Sequence, residues 1–286
     1  MTSKKLLKQQ PFKNKMALIC GASEGIGFAT AKEIIKLGGS VCINARREEK
    51  LREAKEKLED FKVEEAQFIE SISCDATNRE KLKPLIEKFI ETHGIPDLLI
   101  NVVGTALPNY IEKYTLDDFK QHMDINYYGQ LVPTLILLPH FQERKRGHIA
   151  FVASVAAFIG LIGYTAYTPT KAAIVGLAET LKNELSPYNI DISVVFPPDT
   201  DTATFERENR MKPEECKLIS ERAGLLQPEE VVEPLIEGII KKKFYITPGE
   251  AGWMFWAKRH FPKLVFNILE KDLKKARKRL GKSTDY

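Results

Sequence analysis

Short apolar runs alternate with longer amphipathic segments along most of this 286-residue sequence. The apolar runs are rich in Val and Ile, and the segments between them carry charges at helical spacing, as residues 47–60 do. Such alternation indicates βαβ units and a parallel sheet. Strands are predicted at residues 16–20, 40–45, 67–73, 97–100, 148–154, 191–196 and 243–247. The pattern therefore predicts an α/β fold: a doubly wound parallel sheet of about seven strands, with helices on both faces.

One run, residues 149–162, carries no charge and has the composition of a membrane helix. Its 14 residues are too few to span a bilayer. We interpret it as a buried central strand that ends near Ser154 and continues into a loop broken by glycine. No membrane-spanning segment is predicted.

The composition is that of a soluble globular protein, with 43% hydrophobic and 29% charged residues. A chain of this length can bury a large core, and α/β folds of this size commonly form one domain. We therefore expect one domain over residues 1–249, which includes a substrate loop at 197–226. A basic, amphipathic tail is expected at residues 250–286.

The four cysteines are scattered along the chain, and their spacing fits neither a zinc site nor a disulfide framework. We interpret them as reduced, packed thiols and expect no metal site. The basic N-terminus lacks the apolar core of a signal peptide. The sequence therefore favours a cytoplasmic protein.

A glycine-rich turn follows the first predicted strand and opens a helix. It contains Gly21, Gly25 and Gly27, interleaved with Ser23, Glu24 and Ile26. Glycines at these places let the backbone approach a pyrophosphate, whose charge is met by free amides and the positive end of the helix. This Rossmann-type arrangement predicts a dinucleotide site, the alternative being a purely structural tight turn.

Arg46 and Arg47 follow the second predicted strand, where an enzyme that uses NAD would usually carry an acidic side chain. Two guanidinium groups there suit the 2′-phosphate of NADP, because planar donors bind phosphate bidentately. Ser23 would add a hydroxyl to the same phosphate. The cofactor is therefore predicted to be NADPH, unless the two arginines merely begin an exposed helix.

Polar and small residues follow the third and fourth predicted strands. Asp75 is placed to accept a hydrogen bond from the adenine amino group, or else to cap the next helix. Asn101 and Gly104 bound a turn of small residues that can run beneath the adenosine ribose.

Tyr167 and Lys171 lie four residues apart in a predicted helix, which puts both side chains on one face. A neighbouring cation would lower the pKa of the tyrosine and make its hydroxyl a useful acid near neutral pH. Ser154, at the end of the fifth strand, would donate to the same substrate oxygen. Taken one at a time, the three residues can also be interpreted as a core tyrosine, a surface lysine and a serine at the end of a strand, all of which are common.

With these motifs in this order, the sequence resembles the short-chain dehydrogenase/reductase family over roughly residues 12–247. The resemblance implies that Ser154 polarises a substrate carbonyl, Tyr167 protonates it, and Lys171 also binds the nicotinamide ribose. It implies that Asn126 holds a water that relays protons to Lys171, and that Asn101 belongs to the turn after the fourth strand. The glycines would lie at the pyrophosphate.

Three positions depart from the family pattern. Cys20 replaces a threonine, Val102 and Val103 replace an Asn-Ala pair, and Pro198 replaces a glycine. None of these changes removes a catalytic group, but each bears on the backbone geometry around the cofactor.

The segment 196–220 resembles the 3-ketodihydrosphingosine reductases, which reduce a long-chain amino ketone with NADPH. By that resemblance Pro197, Thr200 and Thr202 would contact the nicotinamide. Asp199 or Asp201 is our own candidate for pairing with the substrate amine, because the charges are opposite. Asp and Thr that simply form a turn are the alternative.

The tail mixes aromatic and basic residues. Residues 258–286 hold ten Lys/Arg against three Asp/Glu, and Trp253, Trp256, Phe261 and Phe266 lie among aliphatic neighbours. This mixture suits a segment that rests on anionic lipid without spanning it, so the protein would be peripheral on the cytosolic face of a membrane. The alternative is a C-terminal helix packed on the domain.

Two other functions stay open on sequence alone. One is a different short-chain reductase, acting on 3-oxoacyl thioesters, steroids or retinoids. The other is a nucleotide-binding scaffold without turnover. Nucleic-acid binding is not expected, because no recognised motif accompanies the basic tail. Family resemblance favours a homo-oligomer formed through helices around residues 115–140 and 167–186.

Overall fold

The computed structural model describes residues 9–284, and within them seven strands form one parallel sheet. The strands are β1 (Met16–Cys20), β2 (Ser40–Ala45), β3 (Ile69–Ser73), β4 (Leu98–Asn101), β5 (Gly147–Val152), β6 (Ile190–Val195) and β7 (Tyr245–Ile246). Their order in the sheet is β3-β2-β1-β4-β5-β6-β7, and every pairing is parallel. The predicted doubly wound sheet is confirmed.

Helices connect the strands. They are α1 (Gly25–Lys36), α2 (Glu48–Glu59), α3 (Arg79–His93), α4 (Leu116–Met123), α5 (Gly129–Arg144), α6 (Thr168–Glu184), α7 (Ala203–Met211), α8 (Glu214–Ala223), α9 (Pro228–Ile240), α10 (Ala251–His260) and α11 (Pro262–Arg279). A π-helical turn, Asp124–Tyr128, joins α4 to α5. Short 3-10 helices cover Ile111–Lys113, Val155–Ala157 and Ser186–Tyr188.

Alternate residues of each strand point to opposite faces of the sheet, and both faces are covered. Ala17 and Ile19 of β1 pack with α1, α2 and α9, whereas Leu18 and Cys20 pack with α3, α5 and α6. Strands buried on both sides read as continuous apolar runs, which is why the runs predicted the strands so closely.

The uncharged run at 149–162 consists of a strand followed by a loop, as expected, but the strand ends earlier than predicted. The strand ends at Val152, two residues before Ser154, and a 3-10 helix begins at Val155. Ser154 caps this short helix, since its Oγ accepts a hydrogen bond from the Ala156 amide at 3.1 Å. The serine therefore lies in the loop beyond the strand.

The chain changes direction between β3 and β4, because β4 joins the sheet on the other side of β1. In doubly wound sheets this switch opens a crevice beyond the carboxyl ends of the strands, and ligands bind there. Cys20 at the end of β1 pairs in register with Asn101 at the end of β4. The turns after these strands therefore emerge side by side.

The tail helices α10 and α11 pack on the rest of the fold. Helix α11 lies against α8, and its Val265 and Ala276 are buried. Beyond α11, Lys282 pairs with Glu215 of α8 at 3.2 Å. Among the described residues no helix is long and apolar enough to cross a membrane.

Candidate active site

One large cavity, of about 1050 Å³, lies beyond the carboxyl ends of the strands and extends beneath α10 and α11. Most of the residues singled out in the sequence line it. They are Gly21, Ser23, Glu24, Gly25, Ile26, Arg46, Arg47, Asp75, Gly104, Ser154, Tyr167, Lys171, Pro197, Asp199, Thr200 and Thr202. Gly27, Asn101, Asn126 and Asp201 do not line it. The fold thus brings the two halves of the predicted site into one space.

The glycine turn between β1 and α1 has no room for side chains at two positions. A Cβ on Gly27 would lie 2.1 Å from the Gly21 carbonyl oxygen, and Gly21 itself has a φ of +88°. Gly27 therefore faces the turn and not the cavity, and its lack of a side chain lets α1 pack onto the turn. The result is a backbone cradle at the N-terminus of α1, where free amides and the helix dipole favour an anion.

The two predicted phosphate-binding arginines lie at the rim of the cavity, paired with carboxylates. Arg47 contacts Glu24 at 2.9 Å, and Arg46 lies 3.7 Å from Asp75. Glu24 also pairs with Arg207 of α7, at 3.1 Å. Both arginines immediately precede α2, as expected if they simply begin an exposed helix. This position is equally compatible with binding a phosphate. Exposed pairs of this kind are weak, and a phosphate can displace them.

Asp75 does not cap the next helix, so that alternative is wrong. Its Oδ1 accepts hydrogen bonds from the amide and hydroxyl of Thr77, at 2.9 and 2.8 Å. The cap of α3 is Asn78, whose side chain accepts from the Lys81 amide. Asp75 instead forms a local turn and faces the cavity.

Asn101 lies beneath the site. It is fully buried, and its Nδ2 donates to the Thr134 hydroxyl at 3.0 Å. Among the described residues its Oδ1 has no hydrogen-bond partner. Asn101 supports the turn after β4 from below and does not face the cavity itself.

The turn after β4 passes close to Lys171. A Cβ on Gly104 would lie 3.0 Å from the Lys171 Nζ and 3.2 Å from the Asn126 Oδ1. Asn126 is buried in the π-helical turn, where its side chain accepts from the Thr105 amide at 2.7 Å and donates to the Thr170 hydroxyl at 3.1 Å. The wide turn and the glycine thus bring the lysine and the asparagine together.

Tyr167 and Lys171 lie at the start of α6, facing Ser154 across the cavity wall. Ser154, whose hydroxyl donates to the Pro197 carbonyl at 3.4 Å, lies near enough to the Tyr167 hydroxyl to lower its pKa. The Lys171 ammonium donates to the Val152 carbonyl at 2.9 Å and lies 5.7 Å from the centre of the Tyr167 ring. The serine, the phenol and the ammonium therefore form one cluster.

The pKa values of this cluster differ from the sequence prediction. Burial raises the pKa of Tyr167 above its usual range, the charge of Glu208 raises it further, and the Ser154 side chain counteracts part of the rise. Burial lowers the pKa of Lys171 to about 7. The predicted lowering of the Tyr167 pKa is wrong for the protein alone, because both groups are buried and the ammonium bonds to a carbonyl rather than to the phenol. The phenol is thus fully protonated at neutral pH.

The two aspartates proposed for a substrate amine differ in position. Asp201 is exposed, does not line the cavity, and contacts Gln227 at 3.4 Å, so its position gives no support to the predicted pairing with the substrate amine. Asp199 lines the cavity, but its Oδ2 already accepts from Lys212 at 3.2 Å and from Ser220 at 2.7 Å.

The two threonines near Asp199 also have local partners. The Thr200 hydroxyl donates to the Pro198 carbonyl at 2.9 Å, and Thr202 caps α7. Both line the cavity. Each hydroxyl therefore stabilises the loop between β6 and α7 while it faces the cavity.

Several cavity residues were missed by sequence reasoning. Tyr164, Glu208 and Ser220 line the wall next to Tyr167, and Glu208 has the buried Lys212 one helical turn away. The spacing of four between Glu208 and Lys212 was a readable signal, since i,i+4 pairs of opposite charge interact on a helix. Their burial could not be read from the sequence.

The tail closes the far end of the cavity with apolar side chains. They belong to α10 and α11 and are Trp253, Met254, Ala257, Val265, Phe266, Ile268, Leu269 and Leu273. The alternative of a C-terminal helix packed on the domain therefore describes one side of the tail. Its other side exposes Trp256, Phe261 and Leu264, at 50%, 49% and 55% of their surface.

A backbone cradle, a catalytic cluster of Ser, Tyr and Lys, and a doubly wound sheet are typical of one class of oxidoreductase. The model of the short chain dehydrogenase family matches residues 15–213. The chain therefore belongs to the short-chain dehydrogenase family, whose members use a nicotinamide cofactor.

Within that family the chain belongs with the 3-ketodihydrosphingosine reductases. A 3-dehydrosphinganine reductase of Danio rerio is 40% identical over 255 residues, which cover 88% of this chain and 77% of the relative. A 3-ketodihydrosphingosine reductase of Mus musculus is 37% identical over 238 residues, which cover 83% and 72% of the two chains.

The fold is shared with solved structures. A crystal structure of a 3-oxoacyl-(acyl-carrier protein) reductase with bound NAD, from Brucella melitensis, superposes with a TM-score of 0.73 at 22% identity. The match covers 86% of this chain and 94% of that one.

Proposed function

We propose that this chain is an NADPH-dependent carbonyl reductase that converts 3-ketodihydrosphingosine to dihydrosphingosine. The observation that carries the reaction type is the cluster of Ser154, Tyr167 and Lys171 on the wall of the cavity that also holds the glycine cradle. The names of the relatives support the substrate.

The chain's own residues would position and protonate the ketone. The Ser154 and Tyr167 hydroxyls lie near each other on the cavity wall, where a carbonyl oxygen would accept from both. Tyr167 would donate its proton to that oxygen, and its raised pKa keeps this proton in place at neutral pH. A nicotinamide cofactor supplies the hydride when bound.

Lys171 and Asn126 would resupply the proton. Both lie next to Gly104, and a lysine with a pKa of about 7 can both take up and release a proton at neutral pH. Lys171 would also bind the ribose next to the nicotinamide.

The cradle fits a pyrophosphate, because the N-terminus of α1 and the glycine turn before it line the cavity, and the N-terminus of a helix favours an anion. At the edge of the cradle, Arg46 and Arg47 support the assignment of NADPH, rather than NADH, as the cofactor. Each is exposed, lines the cavity and is held by a single carboxylate that a 2′-phosphate would replace. Ser23 lines the same part of the cavity and would donate to that phosphate, and Asp75 would face the adenine.

The apolar end of the cavity suits a long alkyl chain. Helices α10 and α11 supply most of its aliphatic and aromatic wall, and the cavity is large enough for a chain to leave the catalytic cluster in their direction. Burying a methylene group contributes about 0.8 kcal/mol, so such a wall would bind a long-chain ketone strongly.

The outer side of α10 and α11 would rest on an anionic membrane. Exposed Trp256, Phe261 and Leu264 lie beside Lys258, Arg259 and Lys263, the combination that favours an interface between water and lipid. The same helices line the alkyl end of the cavity. A lipid substrate would therefore pass from the membrane into the cavity beside them.

The substrate assignment is tested with purified protein and NADPH. We expect oxidation of NADPH with 3-ketodihydrosphingosine and much slower oxidation with an acetoacetyl thioester. Activity with the thioester alone would transfer the assignment to another short-chain reductase. Absence of activity with both, with NADPH bound, would favour a nucleotide-binding scaffold.

A further inference from the structure

A buried cluster of charged groups lies on the cavity wall between the catalytic cluster and α7. Lys212, whose side chain is fully buried, pairs with Asp199 at 3.2 Å and with Glu208 at 3.7 Å. The Tyr164 hydroxyl donates to Glu208, and the Ser220 hydroxyl donates to Asp199 at 2.7 Å. All of these residues except Lys212 line the cavity.

The cluster holds two carboxylates and one ammonium, so with all three groups ionised it carries one uncompensated negative charge. A buried charge without a partner is costly, and a site with this imbalance favours a cation. In the described part of the chain, both contacts of the Glu208 carboxylate reach Oε1. Its second oxygen therefore remains for a ligand.

Glu208 is close to the proton donor. Tyr164, which bonds to Glu208, has its ring 5.8 Å from the ring of Tyr167, centre to centre. The Glu208 charge also raises the pKa of Tyr167, and its effect is larger than that of Asp199. A cation bound by Glu208 would thus lie next to the carbonyl that Tyr167 protonates.

We propose that Glu208 binds the ammonium group of the substrate and thereby selects α-amino ketones over neutral ketones. The inference rests on the proposed function, because 3-ketodihydrosphingosine carries its amine on the carbon adjacent to the ketone. A group that holds this amine must lie beside the proton donor, and Glu208 does. The buried Lys212 lies closer to Asp199, at 3.2 Å, than to Glu208, at 3.7 Å, so Glu208 is the less compensated of the two carboxylates.

The test compares two substrates in two variants. One substrate is 3-ketodihydrosphingosine, and the other is the same ketone with hydrogen in place of the amine. In the unaltered protein we expect kcat/KM to favour the amino ketone by about 10- to 100-fold, the range of one charge-assisted hydrogen bond. In Glu208→Gln, which keeps an acceptor for Tyr164, this preference should disappear, chiefly through a higher KM for the amino ketone.

Tyr164→Phe is the matched control, because it removes the hydroxyl that contacts Glu208 and leaves the carboxylate in place. It should retain the preference for the amino ketone. A loss of activity in Glu208→Gln that is equal for both ketones would overturn the proposal and give Glu208 a structural role. Equal use of both ketones by the unaltered protein would overturn it too, whereas reduction of neither ketone would instead contradict the proposed function.

Discussion

Lys171 illustrates how burial changes the chemistry of a residue whose type and spacing are readable from the sequence. The spacing of four from Tyr167 correctly placed both side chains at one site. The direction of the tyrosine pKa was wrong, because the prediction counted the neighbouring charge and omitted burial. Desolvation is a property of the packed cavity, so sequence alone could not supply it.

The pKa of Lys171 predicts how reduction depends on pH. With a value of about 7, the lysine is charged below that pH and neutral above it, whereas Tyr167 stays protonated throughout the neutral range. If the charged lysine supplies the proton, kcat/KM for reduction should fall as the pH rises through about 7. A profile that is flat from about pH 6 to 9 would contradict this role of Lys171.

Arg46 and Arg47 predict the preference for NADPH. Replacing both with alanine should raise the KM for NADPH by about 10- to 100-fold and leave the KM for NADH nearly unchanged, because only the 2′-phosphate loses its partners. Steady-state kinetics with both cofactors give the two values. Arg52→Ala is the control, since Arg52 lies on α2, pairs with Glu56 and is remote from the cavity. An equal effect on both cofactors would assign the arginines to folding.

At the scale of elements, the predicted strands were easier to place than the substrate loop and the tail. Residues 197–226 contain α7 and several polar residues of the cavity wall, among them Asp199, Glu208 and Ser220. A helix with charges on many sides gives no indication of which charge will be buried, because that is decided by the neighbouring helix. One side of α11 packs inward, as the alternative of a packed helix predicted, and its other side is exposed, so that contact with a membrane stays a prediction.

The exposed side of α10 and α11 predicts binding to anionic vesicles. The double variant Trp256→Ser/Leu264→Ser changes two exposed residues that do not line the cavity. We expect the unaltered protein to sediment with vesicles that contain phosphatidylserine, and the variant to bind several-fold more weakly, because apolar insertion and charge attraction act together.

Val63→Ser is the control for this experiment, because Val63 is an exposed apolar residue outside the tail. It should bind vesicles as the unaltered protein does. Equal binding by the double variant, or no binding by the unaltered protein, would rule out α10 and α11 as the contact with lipid.

At the scale of the whole molecule, the fold was predictable because a parallel sheet buries both faces of its strands and so marks them as apolar runs. The tight turn after β1 was predictable because Gly21, Gly25 and Gly27 leave a local signature in the sequence. The position of Asp201 outside the cavity was not predictable from the sequence. Its side chain contacts Gln227, which lies 26 residues further along the chain.

We infer that the molecule forms a homo-oligomer through the helices around residues 115–140 and 167–186, of which α4 and α5 expose Leu116 and Leu135. Light scattering should give a molar mass that is a multiple of 32.5 kDa, and Leu135→Glu should shift the protein toward the monomer. Leu85→Glu, an exposed position on α3, should not. A mass of 32.5 kDa for the unaltered protein would contradict this inference.

The most direct measurement follows the hydrogen atoms. The protein is incubated with 3-ketodihydrosphingosine and NADPH that carries deuterium at the transferable position of the nicotinamide, and the product is analysed by mass spectrometry. We predict dihydrosphingosine with deuterium on C3, formed about 10²- to 10⁴-fold more slowly by Tyr167→Phe. Unlabelled dihydrosphingosine, no reduced product, or an undiminished rate in Tyr167→Phe would contradict carbonyl reduction by this site.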